Sequence, residues 1–228
     1  MEFVGIDKFS LLDYEEKVSV VLFSPACNFR CPFCHNGDSV LNSNTPIPFA
    51  DILSFLKSRV GLIDAVVFTG GEPTMMPELE ERIREVKKLG FLIKLDTNGT
   101  HPTVLQHLLD EGLLDYVAMD IKNSEKEYAK TTGCKVLNLE NVKKSIKILL
   151  NSPISSEFRT TLVKEFHTTK SIKEMCNLIR GAKKLYLQKF VDREGVIQKG
   201  LHDISIEEAN QFKDILSEAI TSVELRGY

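Results

Sequence analysis

Short apolar runs alternate with longer amphipathic stretches along this chain. Runs rich in Val, Ile, Leu and Phe predict strands at residues 17–23, 64–69, 91–96, 115–122, 157–164 and 183–190. Between them, apolar positions three and four apart predict helices over 48–59, 76–89, 103–111, 139–150 and 171–180. Leu139, Val142, Ile146, Leu149 and Leu150 illustrate the pattern, which one buried helix face requires. A last helix, about 205–223, starts at Ser205 with Glu208 three positions on, the spacing of a capping box. Ile206, Ala209, Phe212, Leu216 and Ile220 supply its inner face. Strand–helix alternation predicts an α/β fold, a parallel sheet with helices packed outside it. Six such units are too few to close an eight-stranded barrel, so an open, curved sheet is expected. No repeat, low-complexity tract or linker interrupts the pattern, and residues 1–228 read as a single domain.

Composition narrows the class. A chain of 228 residues buries roughly 70–75% of its unfolded surface, enough for one substantial core. With 43% hydrophobic residues spread along its length, disorder is excluded. The longest apolar stretches, such as Val20 to Phe23, fall far short of the ~20 residues of a membrane span. The opening residues, Met1 to Lys8, have no apolar signal region, so a cytoplasmic protein is expected. A net charge of −3 without any long basic run argues against nucleic acid as a partner.

The segments that follow the strands carry the chemistry. Cys27-Asn28-Phe29-Arg30-Cys31-Pro32-Phe33-Cys34 follows the first, Gly70-Gly71-Glu72-Pro73 the second, and Asp96-Thr97-Asn98-Gly99 the third. The fourth ends in Asp120-Ile121-Lys122, the fifth carries Arg159 and Thr161, and the sixth holds Gln188. Parallel α/β sheets bind ligands at the carboxyl ends of their strands, so these groups should share one pocket.

Three of the five cysteines lie within eight residues of a chain with no secretion signal, which points to a metal or cluster rather than to disulfides. A [4Fe–4S] centre normally takes four thiolates. With three, one iron keeps a position open for a small molecule, which suits chemistry better than electron storage. The alternative is zinc, with His35 or a distant cysteine as fourth ligand. Cys176, between Met175 and Leu178, reads as core packing, and Cys134 as a turn residue. The two glycines would let backbone approach a ligand, with Glu72 holding an ammonium group, or would form a plain turn.

Cys27-x3-Cys31-x2-Cys34, with Phe33 before the third cysteine and Gly70-Gly71-Glu72-Pro73 after the next strand, resembles the radical S-adenosylmethionine (SAM) enzymes. That resemblance implies a partial (β/α)6 barrel, a [4Fe–4S] cluster on Cys27, Cys31 and Cys34, and SAM chelated to the open iron. It also implies cleavage of SAM to a 5′-deoxyadenosyl radical. Cys34-His35-Asn36, Leu95-Asp96-Thr97-Asn98-Gly99, Met119-Asp120-Ile121-Lys122 and Phe158-Arg159-Thr160-Thr161 are similar to motifs of glycyl-radical-enzyme activating proteins. Ser10-Leu11-Leu12-Asp13-Tyr14 and Tyr186-Leu187-Gln188-Lys189-Phe190 extend the likeness to compact activators of anaerobic ribonucleoside-triphosphate reductase.

By that likeness, Gly70, Gly71 and Glu72 hold the methionine amino group, Phe33 lies near the adenine, and Gln188 lines the adenine side. Asp96, Thr97 and Asp120 match positions that place a monovalent cation beside the methionine carboxylate, and Lys122 and Arg159 neutralise that carboxylate or orient substrate. Asn36 and Asn98 belong to the cofactor-binding motifs. The implied partner is a glycyl-radical enzyme, anaerobic ribonucleotide reductase first, with flavodoxin or ferredoxin as electron donor. Glu15-Glu16 and Lys164-Glu165 replace Pro-Gly pairs frequent in the family, and Val191 stands where a related activator has histidine. These departures put the substrate in question, leaving a small molecule such as a deazapurine precursor, or a zinc-stabilised binding module, as rival readings.

Overall fold

The structure, a computed structural model, describes residues 1–37, 40 and 45–228. Its eight strands form one sheet in sequential order: β1 (Gly5–Ser10), β2 (Ser19–Ser24), β3 (Ala65–Gly70), β4 (Leu92–Thr97), β5 (Tyr116–Asp120), β6 (Ser155–Leu162), β7 (Lys184–Lys189) and β8 (Ser222–Arg226). Strands β2 to β8 are parallel; β1 runs antiparallel to β2 at one edge. Helices of the described residues include α1 (Phe49–Lys57), α2 (Leu79–Lys88), α3 (Pro102–Asp110), α4 (Tyr128–Thr132), α5 (Leu139–Asn151), α6 (Thr169–Leu178) and α7 (Ile206–Ser217). The expected α/β architecture with an open parallel sheet is present.

The six predicted strands correspond to β2 through β7, and the edge strands β1 and β8 are additions. The last helix is shorter than its periodicity suggested: α7 ends at Ser217, and residues 222–226 form β8 instead of continuing the helix to 223. Pairing decides this. Lys184 to Gln188 of β7 align with Ser222 to Arg226, which satisfies backbone groups that an edge would leave open. Ser205 does cap α7, accepting from Glu208 N at 3.2 Å.

The two sheet faces differ in chemistry. Outward, Val20, Leu22, Val66, Phe68, Ile93, Leu95, Val117 and Met119 join Ile52, Ile83, Leu105, Ile146 and their helical neighbours in the main core. Each such buried side chain contributes about 1.5–3 kcal/mol. Inward, Tyr14, Val21, Ala65 and Val67 make a small apolar cluster. Above it, alternation along β4 and β6 places Lys94, Asp96, Glu157 and Arg159 on the same inner face. Lys94 Nζ lies 3.8 Å from both Asp96 Oδ1 and Glu157 Oε1, and Tyr116 donates to Glu157 at 2.8 Å.

The segment after β1 folds under this face. Lys94 donates to the Asp13 carbonyl, and Glu15 meets Lys184 at 2.6 Å and the Tyr186 hydroxyl at 3.3 Å. Glu16 follows with φ +60°, in the left-handed region that favours glycine. The outcome is a scaffold whose lower interior is filled and whose upper rim, the carboxyl ends of β2 to β7, is free for a site.

Candidate functional site

The cysteine loop starts where β2 ends at Ser24 and turns back at once, with Ala26 at φ +55°. Cys34 N donates to Cys31 O at 3.0 Å, closing a turn that brings the second and third cysteines round. Outer supports hold the loop: Arg30 N donates to Thr132 O in α4 at 2.9 Å, and Gln198 N donates to Pro32 O at 2.8 Å. His35 stacks on Phe190 with centroids 5.6 Å apart and bonds the Val191 carbonyl at 3.0 Å. His35 is therefore engaged by the segment after β7. All five cysteines are free, Cys31 being buried and Cys27 and Cys34 half-buried. Burial pushes the Cys27 thiol up to about 11 and Cys31 to about 12, and raises Cys34 as well.

The glycines after β3 serve this loop directly. Gly71 N donates to Ser24 O at 3.0 Å and Glu72 N to Ala26 O at 2.8 Å. A Cβ on Gly71 would lie 1.7 Å from Ala26 O, and one on Gly70, at φ +105°, 2.5 Å from Ser24 N. The close backbone approach expected of these glycines is thus made to the protein's own cysteine loop. Asn36 Nδ2 donates to Gly70 O at 3.0 Å and ties the far end of the loop to the same turn.

Glu72 is 1% exposed. Its Oε1 accepts from Thr97 Oγ1 at 2.7 Å and from the hydroxyl and N–H of Thr74, while Oε2 accepts from Asn98 N at 2.7 Å. Burial pushes its carboxyl up, against these hydrogen bonds, which favour the ionised form. The side chain thereby joins the ends of β3 and β4.

Next along the rim is an alternating chain of charges. Arg159 donates from Nε to Asp120 Oδ1 at 3.0 Å and from Nη1 to Asp96 Oδ2 at 3.1 Å. Lys122, just beyond β5, donates to Asp120 Oδ2 at 3.0 Å. Burial works against the charge on Lys122, but Asp120 and the adjacent cysteines outweigh it and raise its pKa. Asp96 Oδ1 is buried and makes no hydrogen bond among the described residues, with Lys94 Nζ 3.8 Å away.

One cavity of about 340 Å³ is lined by every candidate cluster- or SAM-binding residue: the three cysteines, Phe33, Asn36, Gly70, Gly71, Glu72, Asp96, Thr97, Asn98, Asp120, Lys122, Arg159 and Gln188. A larger groove of about 1250 Å³ lies on the outer layer between α3 and α5, but no cysteine lines it. Cys176 is buried in the main core as expected, and Cys134 bonds the Val136 carbonyl at 3.2 Å, outside the cavity lining. Missed at the sequence level were Asn28, Thr74 and Thr100, which bond the site residues from behind. Their positions, inside the Cys-x3-Cys spacing or next to a strand-end motif, were the available signal.

The donor set fits an iron–sulfur cluster: three free thiols converge on one cavity with no fourth cysteine among the lining residues. Among the described residues, no group of three or more His, Cys, Asp or Glu side chains is placed to hold a single metal ion.

Comparison with known proteins agrees. The sequence profile of the radical SAM superfamily matches residues 21–179. A protein of Methanocaldococcus jannaschii, provisionally named as a glycyl-radical enzyme activating enzyme, is 32% identical over 194 residues, covering 83% of this chain and 80% of its own. A protein of Sulfurisphaera tokodaii, provisionally named as a GTP 3′,8-cyclase, is 30% identical over 222 residues, and the chain spans 65% of its length. Among solved structures, a domain of a pyruvate-formate lyase-activating enzyme from Bacteroides vulgatus superposes with a TM-score of 0.57 at 19% identity, covering 70% of this chain and 98% of that one. Streptococcus suis SuiB bound to its precursor peptide SuiA gives 0.71 at 14% identity, covering 91% and 48%. These two likenesses are likenesses of fold. The profile and the archaeal relative together establish that the chain belongs to the radical SAM superfamily, whose members use a [4Fe–4S] cluster and S-adenosylmethionine.

Proposed function

We propose that this radical SAM enzyme generates a glycyl radical on a partner enzyme, anaerobic ribonucleoside-triphosphate reductase being the first candidate. When bound, the cluster and SAM supply a 5′-deoxyadenosyl radical that takes a hydrogen atom from the substrate. The chain's own residues hold, orient and shield these groups. Cys27, Cys31 and Cys34 ligate the cluster. The Gly70–Glu72 turn receives the methionine amino group; Glu72 Oε2 has one protein donor, against three on Oε1, and so keeps room for another. Lys122 and Arg159 face the methionine carboxylate, and Phe33 and Gln188 line the adenine end. Asp96 and Asp120 would flank a monovalent cation, although Arg159 already bridges the two carboxylates and Lys94 Nζ lies 3.8 Å from Asp96 Oδ1.

The observation that carries the proposal is the meeting of the three thiols and the strand-end motifs on one cavity. At about 340 Å³ it lies at the lower end of the ~300–1,000 Å³ typical of ligand sites. A glycine-bearing loop would reach these groups from the rim formed by the carboxyl ends of β2 to β7. The relative named as an activating enzyme supports the same reading. Action on a small molecule is the second reading, favoured by the relative named as a cyclase. Electrons come from flavodoxin or ferredoxin, and the reaction belongs in the cytoplasm; among the described residues no helix is long and apolar enough to cross a membrane.

The test is anaerobic electron paramagnetic resonance on reduced, reconstituted protein mixed with SAM and the ribonucleotide reductase of the same organism. A glycyl doublet that requires SAM is the expected result. Formation of 5′-deoxyadenosine without a doublet shifts the reading to another glycyl-radical enzyme or to a small molecule. Cys31→Ser should abolish both cluster and 5′-deoxyadenosine; unchanged turnover in that variant refutes the site. Zinc without iron or sulfide in anaerobically purified protein would support the binding-module alternative.

A further inference from the structure

Three side chains beside Cys27 form a closed hydrogen-bonded ring. Asn28 Nδ2 donates to Thr100 Oγ1 at 2.9 Å, Thr100 Oγ1 donates to Asn98 Oδ1 at 2.7 Å, and Asn98 Nδ2 donates back to Asn28 Oδ1 at 2.8 Å. Every member donates once and accepts once in the same sense, so each bond polarises the next. Thr100 N adds a second donor to Asn98 Oδ1 at 3.0 Å, and Asn98 N is held by Glu72 at 2.7 Å. The Asn98 amide is therefore fixed at its oxygen, at one of its two side-chain hydrogens and at its backbone. Its remaining N–H faces Cys27 Sγ at 3.8 Å. The Phe29 N–H approaches the same sulfur at 3.3 Å.

Asn98 and Thr100 are buried, whereas Asn28 is exposed on its outer side and turns its amide inward to complete the ring. An exposed asparagine contributes little to packing, so its inward contacts call for another explanation. We infer that Asn28 and Thr100 are positioning residues that aim the Asn98 amide at the Cys27 sulfur and thereby tune and retain the cluster. The inference rests on the reading of Cys27, Cys31 and Cys34 as cluster ligands. A donor to a ligating thiolate stabilises the more negative, reduced cluster, so breaking the ring makes reduction harder. Outer partners of metal ligands are commonly worth about 10–100-fold in metal affinity.

The experiment compares wild type with Asn28→Ala, Thr100→Val and Thr100→Ser. Each protein is reconstituted anaerobically with iron and sulfide, its cluster potential is measured by redox titration under paramagnetic resonance, and iron loss to a chelator is timed. Thermal melts of the reconstituted proteins report folding. Wild type and Thr100→Ser, which keeps the hydroxyl, should share one potential. Asn28→Ala and Thr100→Val should titrate at a lower potential and lose iron about 10–100-fold more readily, with Asn28→Ala melting as wild type does. If Thr100→Val alone fails to fold, Asn28→Ala still carries the comparison. Wild-type potential and iron retention in Asn28→Ala would overturn the inference. A wild-type protein that takes up no iron would overturn the cluster reading itself, a different result.

Discussion

Asp120 and Arg159 are register partners across β5 and β6, and the Arg159 Nε donates to Asp120 Oδ1 at 3.0 Å. The same guanidinium reaches Asp96 on β4, and Lys122 takes the other oxygen of Asp120. Three neighbouring strands thus contribute to one alternating chain of charges at the rim of the cavity. Burial alone would raise the Asp120 pKa, but Arg159 and Lys122 outweigh it and hold the carboxyl at about 2.

A folded pKa of about 2 against an unfolded value of 3.8 has a defined consequence for stability. The stabilisation from Asp120 is fully present above about pH 4 and is lost as pH falls from 4 toward 2. It amounts to about 2 kcal/mol. Asp120→Asn should be less stable than wild type at pH 7, with the two converging as pH approaches 2. Denaturant titrations across that range check this; parallel curves would contradict it.

Gly71 admits no side chain, because its Cβ would meet the Ala26 carbonyl at 1.7 Å. Gly71→Ala must displace either the cysteine loop or the end of β3, at a cost of about 1–3 kcal/mol. The expected phenotype is a lower melting temperature together with reduced iron uptake on reconstitution. Normal iron uptake would mean that the loop position does not depend on this contact.

Glu16 occupies the left-handed region at φ +60° and is exposed. A non-glycine residue there costs about 1–2 kcal/mol, and glycine returns part of that gain as unfolded-state entropy. Glu16→Gly should therefore be more stable than wild type by about 0.5 kcal/mol. A shift of the urea midpoint upward is the readout, and a downward shift would show that the Glu16 side chain contributes a contact that outweighs the strain.

Glu72→Gln sets an amide among donors that presently converge on a carboxylate, leaving at least one N–H or hydroxyl facing another donor. The expected loss is about 1–3 kcal/mol of stability. Weaker SAM binding, measured by calorimetry on the reconstituted protein, should accompany it through the displaced Thr97–Asn98 turn. Wild-type stability would mean that these hydrogen bonds contribute nothing net to the fold.

The chain's own order carried most of this protein. Its alternation of apolar runs and amphipathic helices determined the parallel sheet from β2 to β7, because one-sided burial imposes a period that a sequence displays. The Cys27, Cys31 and Cys34 spacing and the strand-end motifs determined which residues would meet, since parallel strands deliver their carboxyl ends to one rim. What spacing could not hold is who faces whom across the sheet. β8 and the early end of α7 depend on an open ladder on β7. Lys94 and Glu157 become a buried charged pair only because β4 and β6 turn the same face inward. Gly71 is required by a loop more than forty residues earlier in the chain, and the ring of Asn28, Asn98 and Thr100 closes across two loops. Such relations belong to the packing, because each is a contact between segments that the chain brings together only when folded.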